Sequence, residues 1–441
     1  MRKTLLLFVV TIAIFSSCSK DNFLDETGNA NTSFMADMGA PFLDPANTRV
    51  LIVGVLTYED EASLGNFDTY HRKDQELMQT FIDYGVPEEN IIGLFDENAT
   101  RAHIYKSLHD IALASDSETN FVFYFAGHGF NGWDADKSSI YFANHDIKYL
   151  HPDKTGFNIN FLENEFRAEF PGNSVVLLGD CCKSGGLIGI AESFGSEGKK
   201  AVGLTSCYYT EWSTGNWTFT QKIIDALKGD GLIDIDNSGT VTLGEMADGV
   251  ARGLKYIDRQ KSFVGYYNCG PDAVVADVTT TYPEFTDPNY QLGQYVFADF
   301  KKTIITVEIT GKTGSTYQAR YYNYADYATF NFTAADFKTP YFVQYTVGEN
   351  VELDNFTDKP GILIGADGDF YEIENPGGGQ ILWRLYEKII ADDEIPAMIL
   401  DATGTWVPGQ ILDQTPTSYY VTYTDKNFQW DEWVDADHVT F

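Results

Sequence analysis

Three stretches of this chain are apolar at every position: Val50 to Leu56 in RVLIVGVLT, Phe121 to Ala126 in NFVFYFAGHG, and Val175 to Leu178 in SVVLLGD. A strand with one wet face alternates polar and apolar residues, so a strand that is apolar throughout has to be covered on both faces. The segments between them supply the covers. DQELMQTFIDYG puts Leu77, Met78, Phe81 and Ile82 on one helical face, and a helix capped by Thr100 buries Ile104, Leu108 and Ile111. ENIIGLF and Lys200 to Cys207 read as further strands, and Asn160 to Phe170 as a further helix. This rhythm predicts an α/β domain with a mainly parallel sheet and helices on both faces, in which ligands bind beyond the carboxyl ends of the strands.

Two of those carboxyl ends carry chemistry. One strand runs into Asp180, Cys181, Cys182 and a Gly-rich turn, and another ends in Gly127, His128 and Gly129. Attack by sulfur on a carbonyl needs a thiolate, and an imidazole beside it takes the proton, so the pair suits acyl transfer. Each residue alone has a plain alternative, since Cys is commonly buried and a His after a strand often only closes a turn.

The blocks FYFAGHG and GDCCKSG resemble the YSGHG and DSCHSG signatures of metacaspases and, less closely, the corresponding blocks of legumains, both caspase-fold cysteine peptidases. The likeness extends to Arg49 to Thr57 as a first strand, Asp74 to Gly85 as a first helix and Asn90 to Ile104, and covers roughly Thr48 to Asp277. Lys183 stands where metacaspases commonly carry His. The resemblance implies a caspase-like fold, Cys182 rather than Cys181 as nucleophile, His128 as its partner, and an oxyanion hole from the backbone N–H groups of Gly129 and Cys182. It also implies a pocket for a basic side chain lined by Asp180 and Asp74, hence cleavage after Arg or Lys. Asp74 has a rival reading as a first-turn acid complementing the helix dipole. Ser206, ending the next strand, falls where the family pairs with substrate backbone, or else simply packs. The Lys199-Lys200 pair is then a candidate self-cleavage site.

With 441 residues, two to four domains are expected. A net charge of -34 argues against a nucleic-acid partner, because phosphates are held by clustered Lys and Arg. Five cysteines, two of them adjacent, form no disulfide framework. The chain starts with Arg2 and Lys3, an apolar run from Leu5 to Phe15, and Ser16, Ser17, Cys18. That is a signal peptide's layout, too short to span a membrane. It resembles a bacterial lipobox, which implies lipidation at Cys18 and attachment to the cell envelope, expected at the outer membrane; a plain secretory signal is the alternative. Residues 19–47 read as a polar tether, spanning on the order of 25–30 Å as a flexible coil.

A second chemical motif lies at Asp234 to Glu245, DIDNSGTVTLGE. Side-chain oxygens at Asp234, Asp236, Ser238 and Glu245, a backbone carbonyl at Thr240 and a glycine at Gly239 follow the EF-hand spacing, so Ca2+ is the expected cofactor. A polar turn with a Thr242/Glu245 capping box would use the same residues.

After Asp277 the pattern turns to aromatic, alternating strands with Gly and Pro between them. Related segments recur at about 50 residues, which predicts tandem SH3-like barrels at 290–340, 345–398 and 399–441. The last is similar to the tudor-knot and Agenet group. Its Tyr423, Trp430 and Trp433 either cage a cation or fill a small core. Two functions compete at this stage: a surface-anchored cysteine endopeptidase acting on peptides or proteins, whose barrels dock substrate or partner, and an inert envelope adhesion or scaffold protein that binds through the barrels.

Overall fold

A computed structural model describes residues 42–440 except the short segments 133–138, 339–344, 349, 354–359, 375–380, 386–388, 392–394, 401–404, 415–417, 426–427 and 436–438. Cys18 and most of the expected tether therefore lie outside the described residues. The apolar stretches form strands β1 (Thr48–Gly54), β2 (Ile91–Phe95), β3 (Asn120–Gly127), β4 (Ser174–Cys181) and β5 (Lys200–Thr205), all parallel, with β6 (Phe263–Tyr267) antiparallel at one edge. Their order is β6-β5-β4-β3-β1-β2. The central strands β3 and β4 are neighbours, in register from Asn120↔Ser174 to Gly127↔Cys181.

The pleat sends alternate residues of one strand into two separate cores, as the unbroken apolar runs require. Leu51, Phe123 and Leu177 pack on one side against α2 (Arg101–Leu113) and α3 (Gly186–Ser196), through Leu108 and Phe194 among others. Ile52, Tyr124 and Leu178 pack on the other side, against α1 (Lys73–Asp83), α4 (Thr218–Leu227) and α5 (Leu243–Gly253). Thr100 caps α2 by accepting from the His103 amide. The chain is thus a mixed α/β domain with a mostly parallel sheet, followed by an all-β region.

That region contains three five-stranded antiparallel sheets built from Tyr295–Phe300 to Phe337–Lys338, Asn350–Leu353 to Ile389–Ala391, and Ile395–Leu400 to Val439–Thr440. All share one order, in which the first strand pairs with both the second and the fifth. Each also has a register shift between its second and third strands, at Ile309/Gly311, Leu363/Gly365 and Ile411/Asp413. A repeated bulge bends each small sheet at the same point, and the architecture fits SH3-like barrels. The third begins at Ile395, inside the stretch expected for the second barrel, because the Ile395–Leu400 strand pairs forward with Trp406–Gln414. Tyr423 is buried with Ile399, Val421 and Val434, so it packs rather than lining a surface cage; the side chains of Trp430 and Trp433 lie outside the described residues.

The first barrel is joined to the α/β domain by buried charge. Every residue of α4 is buried. Lys222 on that helix reaches Glu308 at 3.1 Å, Glu308 also accepts from Arg320 Nε at 2.8 Å, and Arg320 Nη1 continues to Asp230. Tyr327 Oη closes the set by donating to Asp225 at 2.6 Å. Lys222 and Glu308 are nearly inaccessible, and each charge is met by at least one opposite partner, which is the condition for burying it at all.

Candidate active site

A cavity of about 610 Å³ opens at the carboxyl ends of β3 and β4. His128, Gly129, Asp180 and Cys182 all line it. His128 follows β3 directly, and its Nε2 lies 3.3 Å from the Gly65 carbonyl oxygen. A carbonyl only accepts, so Nε2 carries the proton there. The ring sits between Phe67 and Tyr58, with centroids at 4.4 and 5.3 Å. The Tyr58 hydroxyl donates to the Val55 carbonyl at 2.8 Å and accepts from the His128 amide at 3.0 Å, fixing the backbone as well. Burial lowers the imidazole pKa below its usual value, partly offset by the bond to Gly65.

The two cysteines part company at the end of β4. Cys181 belongs to the core with 2% exposure, while Cys182 is half-buried. Cys182 Sγ accepts from the Ser213 amide at 3.3 Å. Burial raises its thiol pKa and the Ser213 N–H works against that. An uncharged imidazole and a protonated thiol are therefore the resting forms favoured at neutral pH.

Gly129 has to be glycine for a steric reason: a Cβ there would stand 1.9 Å from the Cys182 carbonyl oxygen. The same close approach sets the Gly129 and Cys182 backbones against each other. Lys183, at φ +62°, donates its amide to the Glu211 carbonyl at 3.0 Å and its ammonium to the Thr210 carbonyl at 2.5 Å, and it lies 5.2 Å from the Trp212 ring centre. It thereby ties the turn after Cys182 to the 208–217 loop. That loop is held from the far side by the second barrel, where Arg384 pairs with Glu211.

Asp180 is almost wholly buried at the cavity wall and accepts from Thr220 Oγ1 at 2.6 Å, which is in turn bonded to Tyr124 Oη at 2.6 Å. Burial pushes the Asp180 carboxyl up to about 7, with the nearby Asp258 adding to the rise and the Thr220 bond opposing it. Asp258 comes from the turn after α5 and accepts from Asn216 Nδ2 at 2.6 Å.

Two expected substrate contacts are not met in this arrangement. Asp74 is fully buried and does not line the cavity, because Arg72 holds both its oxygens, Nε on Oδ1 at 3.0 Å and Nη2 on Oδ2 at 2.6 Å. A carboxylate whose two oxygens are both occupied by a guanidinium, and which does not line the cavity, has no free oxygen to offer a substrate cation. Ser206 is also fully buried and turns inward to Ser213 Oγ at 2.9 Å. The loop it supports, Trp212 to Trp217, forms the cavity wall in its place. Asp258 and this loop escaped sequence reasoning because neither sits at a strand end and no local pattern marks them. The Lys199-Lys200 pair is not on a free loop either: Lys200 opens β5, and Lys199 Nζ donates to the carbonyls of Phe170 and Gly172 at 3.0 and 2.7 Å.

In the Asp234 to Glu245 loop the ligand atoms of Asp234, Asp236 and Glu245 lie within 4.8 Å of one another. Gly239 takes φ +87° at the turn, and the Ser238 and Gly239 amides point at the two oxygens of Asp234, both at 3.0 Å. The capping box is present too, with Glu245 accepting from the Thr242 amide at 2.9 Å. The two readings of this loop share one geometry rather than excluding each other.

A model of the caspase domain matches residues 48–288. The chain belongs to the caspase-domain family. This caspase-domain chain therefore carries a cysteine-type peptidase domain, and a protein or peptide is its class of substrate. A second model, the Tudor-knot, described as an RNA binding activity-knot of a chromodomain, matches residues 391–441. Among solved structures the chain is similar to a protein from Geobacter sulfurreducens, at 12% identity over 53% of this chain and 100% of the other, with a TM-score of 0.38. It is also similar to the tandem Agenet domain 3-4 of ADCP1, at 12% identity over 26% of this chain and 84% of the other, with a TM-score of 0.12. No curated protein matches it.

Proposed function

We propose that this caspase-domain chain is an active cysteine endopeptidase with Cys182 as nucleophile and His128 as base, cleaving after Arg or Lys. The observation that carries the reading is a half-buried thiol and a held imidazole lining one cavity at the ends of two paired strands. With Nε2 donating to Gly65, Nδ1 is the nitrogen left to take the thiol proton. Sγ then attacks the scissile carbonyl carbon, and the displaced electron pair moves to the oxygen, toward the Gly129 and Cys182 N–H groups as the proposed donors. Collapse breaks the C–N bond, and the imidazolium protonates the leaving amine. Water, deprotonated by the same imidazole, hydrolyses the thioester and restores the thiol.

The preference for a basic residue rests on Asp180, whose short bond comes from a neutral hydroxyl rather than a cation. A substrate guanidinium or ammonium would meet a carboxylate already withdrawn from water, where charge-assisted pairing is strong. Asp74 plays no part in this version of the pocket.

The Asp234 to Glu245 loop is proposed to hold Ca2+ through Asp234, Asp236, Ser238 and Glu245 with the Thr240 carbonyl. Converging carboxylates and the glycine turn fit the ion's preference for oxygen ligands. When bound, it would neutralise crowded carboxylates and stiffen the entry to α5. Attachment to the bacterial envelope through Cys18 is proposed on the sequence alone, as is a protein partner for the barrels. The segment matched by the Tudor-knot model carries eight Asp and two Glu against the single Lys426, a charge balance that disfavours a phosphate backbone.

Cleavage of a peptide library, with and without calcium, tests the whole reading. Cys182→Ala should abolish turnover and iodoacetamide labelling in the cleft, while Cys181→Ala keeps most activity. Equal loss from both variants would end the assignment of Cys182.

A further inference from the structure

The turn between the third and fourth strands of the first barrel, Thr316–Tyr322 and Tyr327–Thr333, reaches the peptidase cavity: Asn323, Tyr324 and Ala325 line it together with Asp180 and Cys182. This turn is built and held. Asn323 Oδ1 accepts from the amides of Ala325 and Asp326 at 3.1 and 2.8 Å. Asp326 faces Lys73 at 3.5 Å and His71 at 3.8 Å, on the segment that also supplies Tyr70 to the cavity wall. Below the turn, the Lys222, Glu308, Arg320 and Asp230 network fixes the barrel to α4, the helix whose Thr220 binds Asp180. A barrel that only tethered a partner would need neither arrangement.

Tyr324 is the side chain on this turn with most to offer a substrate. It stands at φ +67°, a conformation that non-glycine residues adopt with strain, and keeps 41% of its surface exposed. Its ring packs edge-on against Tyr322 at 6.0 Å, and the Tyr322 side chain below is buried. A phenol face in the same cavity as Asp180, whose carboxyl an incoming cation would hold in its ionised form, suits a cation, which the ring quadrupole and the carboxylate both attract.

We propose that Tyr324, carried by the first barrel, is a specificity-determining residue of the peptidase, packing on the basic side chain that Asp180 draws into the cleft. The substrate site is then composite, with one wall from the α/β domain and one from the barrel. This rests on the basic-pocket reading above and adds to it a residue from outside the caspase domain.

The test uses the full chain and two peptides that differ only in Arg or citrulline at the cleavage position. Citrulline keeps the shape and loses the charge. Tyr324→Asn removes the ring with a residue that tolerates positive φ, and Tyr324→Phe retains it. The expected result is a loss of about three- to thirtyfold in kcat/KM on the Arg peptide for Tyr324→Asn, carried by KM, with citrulline unchanged and Tyr324→Phe close to wild type. If the wild type does not prefer Arg to citrulline, the basic-pocket reading fails and the inference falls with it. If the wild type prefers Arg but Tyr324→Asn matches it, the reading stands and the inference is overturned. Equal losses on both peptides, carried by kcat, would also overturn it, since that marks a structural role.

Discussion

Asp180→Asn should make the protein more stable and a poorer enzyme at the same time. The Asp180 carboxyl is held at about 7 in the fold against a reference value of 3.8. For a carboxyl raised by folding, its contribution is most favourable when protonated, and stability falls as pH rises from the unfolded pKa to the folded one. A rise of about three pKa units amounts to ~4 kcal/mol, lost between about pH 4 and pH 7 and fully absent above. Asparagine still accepts the Thr220 hydrogen bond through its amide oxygen but never ionises, so it escapes this loss. Thermal melts of both proteins at pH 4, 6 and 8 should therefore diverge with pH, the variant melting on the order of 10 °C higher at pH 8, at roughly 2–4 °C per kcal/mol. Comparing the two proteins at each pH cancels the titration of every group not coupled to Asp180. At pH 8, where Asp180 is ionised, the variant should lose at least about tenfold in kcat/KM on Arg peptides, because a charge-assisted pair contributes roughly 1.5–3 kcal/mol, and the gap should close toward pH 4. A residue that destabilises the fold yet is needed for turnover is the mark of a functional carboxylate. A difference in melting that does not change with pH, or a variant less stable at pH 8, would refute the reasoning.

Glu245→Gln weakens one proposed calcium ligand, so calcium binding by calorimetry should become far weaker and any calcium-induced rise in melting temperature should shrink; a wild type that never binds calcium leaves only the capping box. Glu308→Gln leaves Lys222 and Arg320 buried without their shared anion, and denaturant unfolding should show a loss of about 3–5 kcal/mol. The neighbouring cations hold Glu308 down at about 2 against 4.5, so its stabilisation is present above about pH 4.5 and disappears as pH falls toward 2. The variant and wild type should converge in stability over that acid range, and a gap that persists there would show the residue acting through packing alone.

The peptidase fold was legible in the sequence because its signals are local and redundant. Unbroken apolar runs can only be strands covered on both faces, and the chemistry of a parallel sheet collects where those strands end. Reading His128 and Cys182 at two such ends needed no knowledge of which strand lay beside which. The register Gly127↔Cys181 then brought the two ends together. Burial distinguished the adjacent cysteines, and nothing in the local sequence does so without the resemblance. What tertiary structure alone decided is the ownership of charge. Asp74 and Asp180 look alike as isolated acids, but a guanidinium two residues away claims the first and a threonine 40 residues away binds the second. Trp212 to Trp217 and Tyr324 enter the cavity from segments with no pattern of their own. Periodicity along a chain encodes which face of an element is buried; which charges neutralise one another, and which barrel leans on which cleft, depends on approaches between residues distant in sequence, and those exist only once the chain has folded.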